Sequence, residues 1–396
     1  GPIQTQPIGP DSSPLGLGTL ESGSISTIPQ ASKTLRLETA TIRPIATTRS
    51  QPQATALLAT SPVSTVRSET EILPFSGSGQ YHVGKRKFTL EDDARDFREV
   101  SITLWYPAIP PADSTGSSPA LDADPDHSDA PYPLILSSTK VAGILAPYLV
   151  SHGFTWASVD RIDTYRLMYE QMYEQPLDIL FALDWVASRT PEDLEGVIDA
   201  EHAGAIGYSF DGYNTLAISG ARIDPEHYQN QCPVPDAVTE SVLSGMSSYN
   251  CAPALDWEGF SALAGEKITD SEDGLWQPMT DDRIRAVMPM AGEGWWLFGE
   301  RGLAAVDRPT LIIVATRDTL YRENILIFEH IGTPEKTLIS FVGPSHMMIF
   351  NHEEIAKMAH FATAFFSYYL QGREDYAKYF SEEFTNQYDD LFWGIY

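Results

Sequence analysis

The chain has 396 residues and a formal net charge of −28, from 26 Lys and Arg against 54 Asp and Glu, a balance that repels phosphate backbones and argues against nucleic-acid partners. Hydrophobic residues at 42% suffice for a packed core, and no run approaches the ~18 apolar residues of a membrane helix, so no stable membrane insertion is expected. Two cysteines, Cys232 and Cys251, are too few for a disulfide scaffold or a four-ligand zinc site; no metal is expected, and one bridge stays open.

Gly1 followed by Pro2 reads as a processed end from which any signal peptide is already gone. Of the first 70 residues, 30 are Ser, Thr or Pro, and their charge is nearly balanced, at +1, so the acidity lies downstream. Such a segment has little apolar surface to offset chain ordering. Residues 1–75 therefore read as a linker, either an extended stalk or an arm packed on the folded part, residues 76–396. A stalk suits an extracellular or cell-surface protein.

From Glu99 onward short β-rich runs alternate with helical ones. Val100–Tyr106, Leu134–Ser138, Thr155–Val159, Ala203–Tyr208, Ile284–Met290, Thr310–Ala315 and Thr337–Val342 are the predicted strands. Several are continuously apolar, as when both sheet faces are covered. Leu177–Ala187, Gly212–Ser219, Arg322–His330 and Glu353–Tyr369 carry helical spacing. The alternation predicts an α/β fold with a mostly parallel sheet flanked by helices. Pro107–Pro131 reads as a surface loop, and Ala221–Asp282 as an insertion, either a lid bearing Met246, Tyr249 and Trp257 or a surface subdomain. A Cys232–Cys251 bridge would close that insertion and suit export. The aromatic, acidic C-terminal segment reads as one or two docked helices.

The run "AGAIGYSFDGYNTLA", residues 203–217, is a small-residue strand, a sharp turn and a helix. A serine on such a turn, Ser209, presents its hydroxyl beyond the strand end, and the Phe210 N–H at the helix start points to where an oxyanion would form. The alternative role for Ser209 is a helix N-cap. Asp211 occupies the place of the usual second glycine, and its carboxylate is expected to turn away from a developing oxyanion. A general base and an orienting acid then follow in the order acid, histidine. "PTLIIVATRD" ends in Asp318, and "TLISFVGPSHMMIF" carries His346 on the turn after a strand. The rivals are His330, His352 and Asp307, none of which follows a strand so directly.

These segments, with "VSHGFTWASVD" and "QPLDILFALDWV", resemble the platelet-activating-factor acetylhydrolase and dienelactone-hydrolase-like branch of the α/β-hydrolases over about Gly79 to Gly372. The resemblance implies an α/β-hydrolase fold, a Ser209–His346–Asp318 triad, no cofactor, and carboxylic esters of small acyl groups, oxidised phospholipids or polyesters as substrates. It also implies a second oxyanion donor after "PLILSS". Val141 N–H is the matching group, although the usual Ser-His-Gly-apolar run is replaced by Ser138, Thr139, Lys140 and Val141. Trp295 and Trp296, in "AGEGWWLFGERG", correspond to an aromatic substrate wall in similar hydrolases; the alternative is that they anchor the core. Amide or peptide hydrolysis by the same triad, and a catalytically silent binding module, are the competing functional readings.

Overall fold

Residues on the predicted strands alternate between two apolar faces, and both faces are covered. The computed structural model describes residues 73–111, 118–160, 169–232 and 248–396, of which the side chains at 139, 248 and 249 are left aside. Among the described residues ten strands form one sheet: β1 His82–Asp92, β2 Arg98–Ala108, β3 Ala120–Leu121, β4 Tyr132–Ser138, β5 Thr155–Val159, β6 Ile198–Tyr208, β7 Ile284–Met290, β8 Thr310–Ala315, β9 Lys336–Phe341 and β10 Leu391–Trp393. The order is β10-β9-β8-β7-β6-β4-β5-β2-β1-β3. Strands β5, β4, β6, β7, β8 and β9 are parallel. The β1–β2, β2–β5 and β9–β10 pairs are antiparallel.

The helices are α1 Thr139–Ser151, α2 Gln171–Ser188, α3 Phe210–Ile218, α4 Pro225–Gln231, α5 Trp257–Ala264, α6 Glu266–Thr269, α7 Trp295–Leu303, α8 Tyr321–His330, α9 His352–Leu370 and α10 Glu382–Thr385. Ile135, Ile206, Met288, Ile313 and Ile339 bury one sheet face against Val141, Leu145 and Leu149 of α1 and Met358, Phe361 and Phe365 of α9. The next residue along each strand points the other way. Leu134, Leu136, Ala205 and Val287 meet Ile179 and Leu183 of α2. Ile312, Val314 and Leu338 meet Leu216 of α3, Leu297 of α7 and Ile327 of α8. Each fully buried Ile or Leu contributes roughly 2 kcal/mol relative to exposure. With both faces occupied, ligands have access to the sheet at its strand ends. Among the described residues, no helix is long and apolar enough to cross a membrane.

Three features depart from the sequence reading. The stretch after Ser138, for which no helix is predicted, is the thirteen-residue α1. The C-terminal segment forms 3-10 turns over Glu374–Phe380, the single turn α10, and the edge strand β10, rather than one or two helices. The folded part also begins before residue 76: Phe75 stacks on Tyr376 at 4.7 Å and on His360 at 5.4 Å. The expected linker, up to residue 72, lies outside the described residues.

The insertion contains α4, α5 and α6, and its cysteines are bridged, with Cα atoms of Cys232 and Cys251 5.4 Å apart. Met246 and the side chain of Tyr249, read as lid residues, lie outside the described set. Trp257 packs among Tyr228, Phe260 and Trp276 within the insertion's own aromatic cluster.

Candidate active site

The parallel strands β4, β6, β8 and β9 all end at one sheet edge, so the segments following them converge there. After β6 the chain must turn sharply into α3, and Ser209 makes that turn with φ 62° and ψ −127°. A non-glycine residue in this region costs on the order of 1–3 kcal/mol and persists only when its surroundings hold it. The surroundings here are specific. Ser209 N–H donates to Met290 O at 3.0 Å, and Ser209 O accepts from Gly212 N–H at 2.8 Å and from Glu293 N–H at 3.3 Å. Two glycines allow strand and helix to close up. A Cβ on Gly207 would stand 2.0 Å from Asp211 O, and one on Gly212 would stand 2.6 Å from Gly292 Cα.

Ser209 Oγ makes no N-cap hydrogen bond, so the capping alternative does not apply. It lies 3.0 Å from His346 Nε2, and His346 Nδ1 lies 2.8 Å from Asp318 Oδ2. The Asp318 side chain has no exposed surface, whereas His346 remains 32% exposed, so the far carboxylate is shielded while the imidazole is reachable. Asp318 also accepts from Leu320 N–H through Oδ1 at 2.8 Å, which fixes its plane. The loops carrying Asp318 and His346 are tied together. Arg317 N–H donates to Pro344 O at 3.0 Å, and Gly343 N–H donates to Thr316 Oγ1 at 3.0 Å. Tyr208 donates its hydroxyl to His346 O, linking the His346 turn to the residue before Ser209.

The rival residues lie elsewhere. His330 donates Nδ1–H to Leu326 O within α8, Asp307 pairs with Arg308 on the surface, and His352 is the exposed first residue of α9. Among the described residues, no cluster of three His, Cys, Asp or Glu side chains is arranged to hold a metal ion.

Phe210 is the first residue of α3, where an amide has no acceptor within the helix. Val141 is the third residue of α1, so its amide also belongs to a helix's unpaired first turn, and its side chain is buried in the core. The tryptophans divide. Trp296 is fully buried, with Tyr213 at 6.2 Å and Tyr228 at 6.0 Å, so it anchors the core and offers no surface to a ligand. The reading of Trp296 as a substrate wall is corrected accordingly. Trp295 is partly buried, its ring held between His227 at 5.2 Å and His330 at 4.9 Å.

Several supporting residues were not singled out from sequence. Glu323 Oε1 accepts from Gly294 N–H at 2.9 Å and Trp295 N–H at 3.1 Å, capping α7. Asn324 accepts from Gly292 N–H at 3.1 Å and donates to Gly292 O at 2.9 Å. Together they hold the 291–295 loop, whose Glu293 amide supports Ser209. Glu323 is fully buried near Glu293, and desolvation, reinforced by that second carboxylate, pushes its carboxyl up to about 8. Asn250, beside Cys251, donates to Glu293 Oε2 at 3.4 Å.

No family model matches this chain, and no curated protein matches its sequence.

Proposed function

We propose that the chain is a serine hydrolase of α/β-hydrolase fold that cleaves carboxylic esters of lipid acyl, aryl or polyester type through an acyl-enzyme. The observation that carries this reading is the continuous relay from Ser209 Oγ through His346 to buried Asp318, at 3.0 and 2.8 Å, built on a serine with positive φ. The order of the three residues along the chain and the motif resemblance support it.

His346 Nε2 takes the hydroxyl proton as Ser209 Oγ bonds to the carbonyl carbon, and the carbonyl electron pair moves onto oxygen. Phe210 N–H and the amide at Val141 stabilise that oxyanion. Collapse of the intermediate expels the alkoxide, which His346 protonates; water, deprotonated in turn by His346, then attacks the acyl-enzyme, and His346 returns that proton to the departing Ser209 Oγ as the acid is released. Asp318 fixes the imidazole tautomer and stabilises the imidazolium. The Cys232–Cys251 bridge supports an oxidising, extracellular or cell-surface setting.

The test is hydrolysis of p-nitrophenyl esters from acetate to dodecanoate, with fluorophosphonate labelling, on the wild-type protein and Ser209→Ala. Turnover and labelling are expected, with kcat lowered roughly 10⁴-fold or more and labelling abolished in the variant. A wild-type protein that neither labels nor turns over any ester overturns the reading in favour of a silent binding module.

A further inference from the structure

Asp211 stands where a second elbow glycine is usual, two residues after Ser209, and its carboxylate is buried. It is also fully engaged. Oδ2 accepts from Ser138 N–H at 3.2 Å and from the Ser138 hydroxyl, and Oδ1 accepts from Asn214 Nδ2 at 3.3 Å. Asn214 Nδ2 in turn donates to Gln175 Oε1 on α2 at 2.9 Å. One side chain thus joins three elements: α3, which starts at the nucleophile; the β4–α1 junction at Ser138; and, through Asn214, α2. Ser138 is the N-cap of α1, yet its own side chain makes no capping bond, because its hydroxyl is turned to Asp211.

We propose that Asp211 is a positioning residue for the oxyanion hole, clamping the first turn of α1 at a fixed distance from the Phe210 amide. The inference rests on the hydrolase reading above, since the two amide donors it aligns are those assigned to that reaction. The geometry compensates for an irregular junction. Where the resembled family has Ser-His-Gly before its second donor, this chain has Ser138, Thr139 and Lys140, and the hydrogen bonds to Asp211 supply an anchor at that point.

The clamp carries a proton dependence. Burial pushes the Asp211 carboxyl up to about 6, against the lowering effect of the donors from Ser138 and Asn214 and of the Lys140 charge. Lys140 is the ionisable neighbour on α1, whereas α3 and α2 present the neutral Asn214 and Gln175. Protonation removes an acceptor lone pair and the charge assistance in these bonds, so the junction loosens as pH falls through that value.

The experiment compares wild type, Asp211→Ala, Asp211→Asn and Ser138→Ala on one p-nitrophenyl ester across pH 5 to 9, with fluorophosphonate labelling rates. Loss of a single oxyanion donor costs about 10²–10³ in kcat, so displacing one should lower kcat in Asp211→Ala by about 10- to 100-fold with KM unchanged, and slow labelling in parallel. Asp211→Asn keeps one acceptor for Ser138 but, like the protonated acid, lacks the charge, so its kcat should fall between those of wild type and Asp211→Ala, and it should lose one proton from the acid limb of the pH profile. Ser138→Ala should move that limb to higher pH, and it serves as the test if Asp211→Ala fails to fold. A kcat within two-fold of wild type in both the Ala variants, a loss expressed in KM, or an Asn variant no better than Ala would overturn the inference while leaving the hydrolase reading intact. A wild-type protein without esterase activity overturns both.

Discussion

Glu323 illustrates how a single residue can support the turn at Ser209 without contacting it. Its carboxyl caps α7 through two backbone amides, while Oε2 is buried with no hydrogen-bond partner among the described residues, so the neutral form is favoured. A carboxyl raised to about 8 in the folded chain contributes stability that is fully present below its ordinary value near 4.5 and gone above about 8. Glu323→Gln keeps the capping oxygen and cannot ionise. Thermal midpoints of the variant relative to wild type should therefore rise as pH increases from 5 to 8.5; a pH-independent difference would show that the ionisation does not differ between folded and unfolded chains. The three residues that the structure brings together, Ser209, His346 and Asp318, were legible in the sequence because each follows an apolar strand. Glu323 and Asn324 were not, because the face of α8 that turns inward is Glu323, Asn324 and Ile327, and hydrophobic periodicity cannot identify a polar buried face.

Elements formed by local pattern were equally readable, and those formed by distant pairing were not. β5, β7 and β8 match their predicted bounds. The unpredicted β1 carries Lys85, Arg86 and Lys87 in its middle and is held by pairing with β2 along its whole length and by an ion-pair network at the turn. There Arg95 meets Asp92 at 2.6 Å and Glu174 at 2.9 Å, and Arg98 meets Asp178 at 2.8 Å, tying the hairpin to α2. α1 was obscured by Gly143 and Pro147 within it, and three-residue β10 exists only through its register with β9. The disulfide is likewise a distant constraint whose geometry sequence cannot supply. It joins residues separated by 19 positions, a loop for which chain entropy gives about 3 kcal/mol. It also borders Asn250, whose carbonyl accepts from Tyr228 and whose amide reaches Glu293. Replacing both cysteines by serine should lower unfolding free energy by about that amount in urea titrations, and reductant should reproduce the loss in wild type while leaving the serine variant unchanged.

At the scale of the whole molecule, charge and burial set opposing slopes of stability against pH. The net charge of −28 is self-repulsive and is screened by salt, so thermal midpoints should rise between about 10 and 150 mM NaCl. Protonation eases the same repulsion. The raised carboxyls of Glu323 and Asp211, at about 8 and about 6, add stability that is lost as pH climbs through those values. Desolvated histidines, His360 buried and His152 and His227 half-buried, act in the other direction. Desolvation lowers His360 to about 4 and pulls His152 and His227 below their ordinary range. Each stays neutral in the folded chain while its unfolded counterpart takes up a proton, so the stability they contribute is present above pH 6.5 and declines as pH falls below it. From pH 8.5 down to about 6.5 only the carboxyl and self-repulsion effects operate, and the midpoint should rise; below about 6 the histidines offset them and the curve should flatten. Thermal scans in buffers of matched ionic strength would reveal this shape. A midpoint still climbing at pH 4.5 would mean the histidines are not held neutral, whereas one highest at pH 8 or above would mean that neither carboxyl carries its raised value in the folded state.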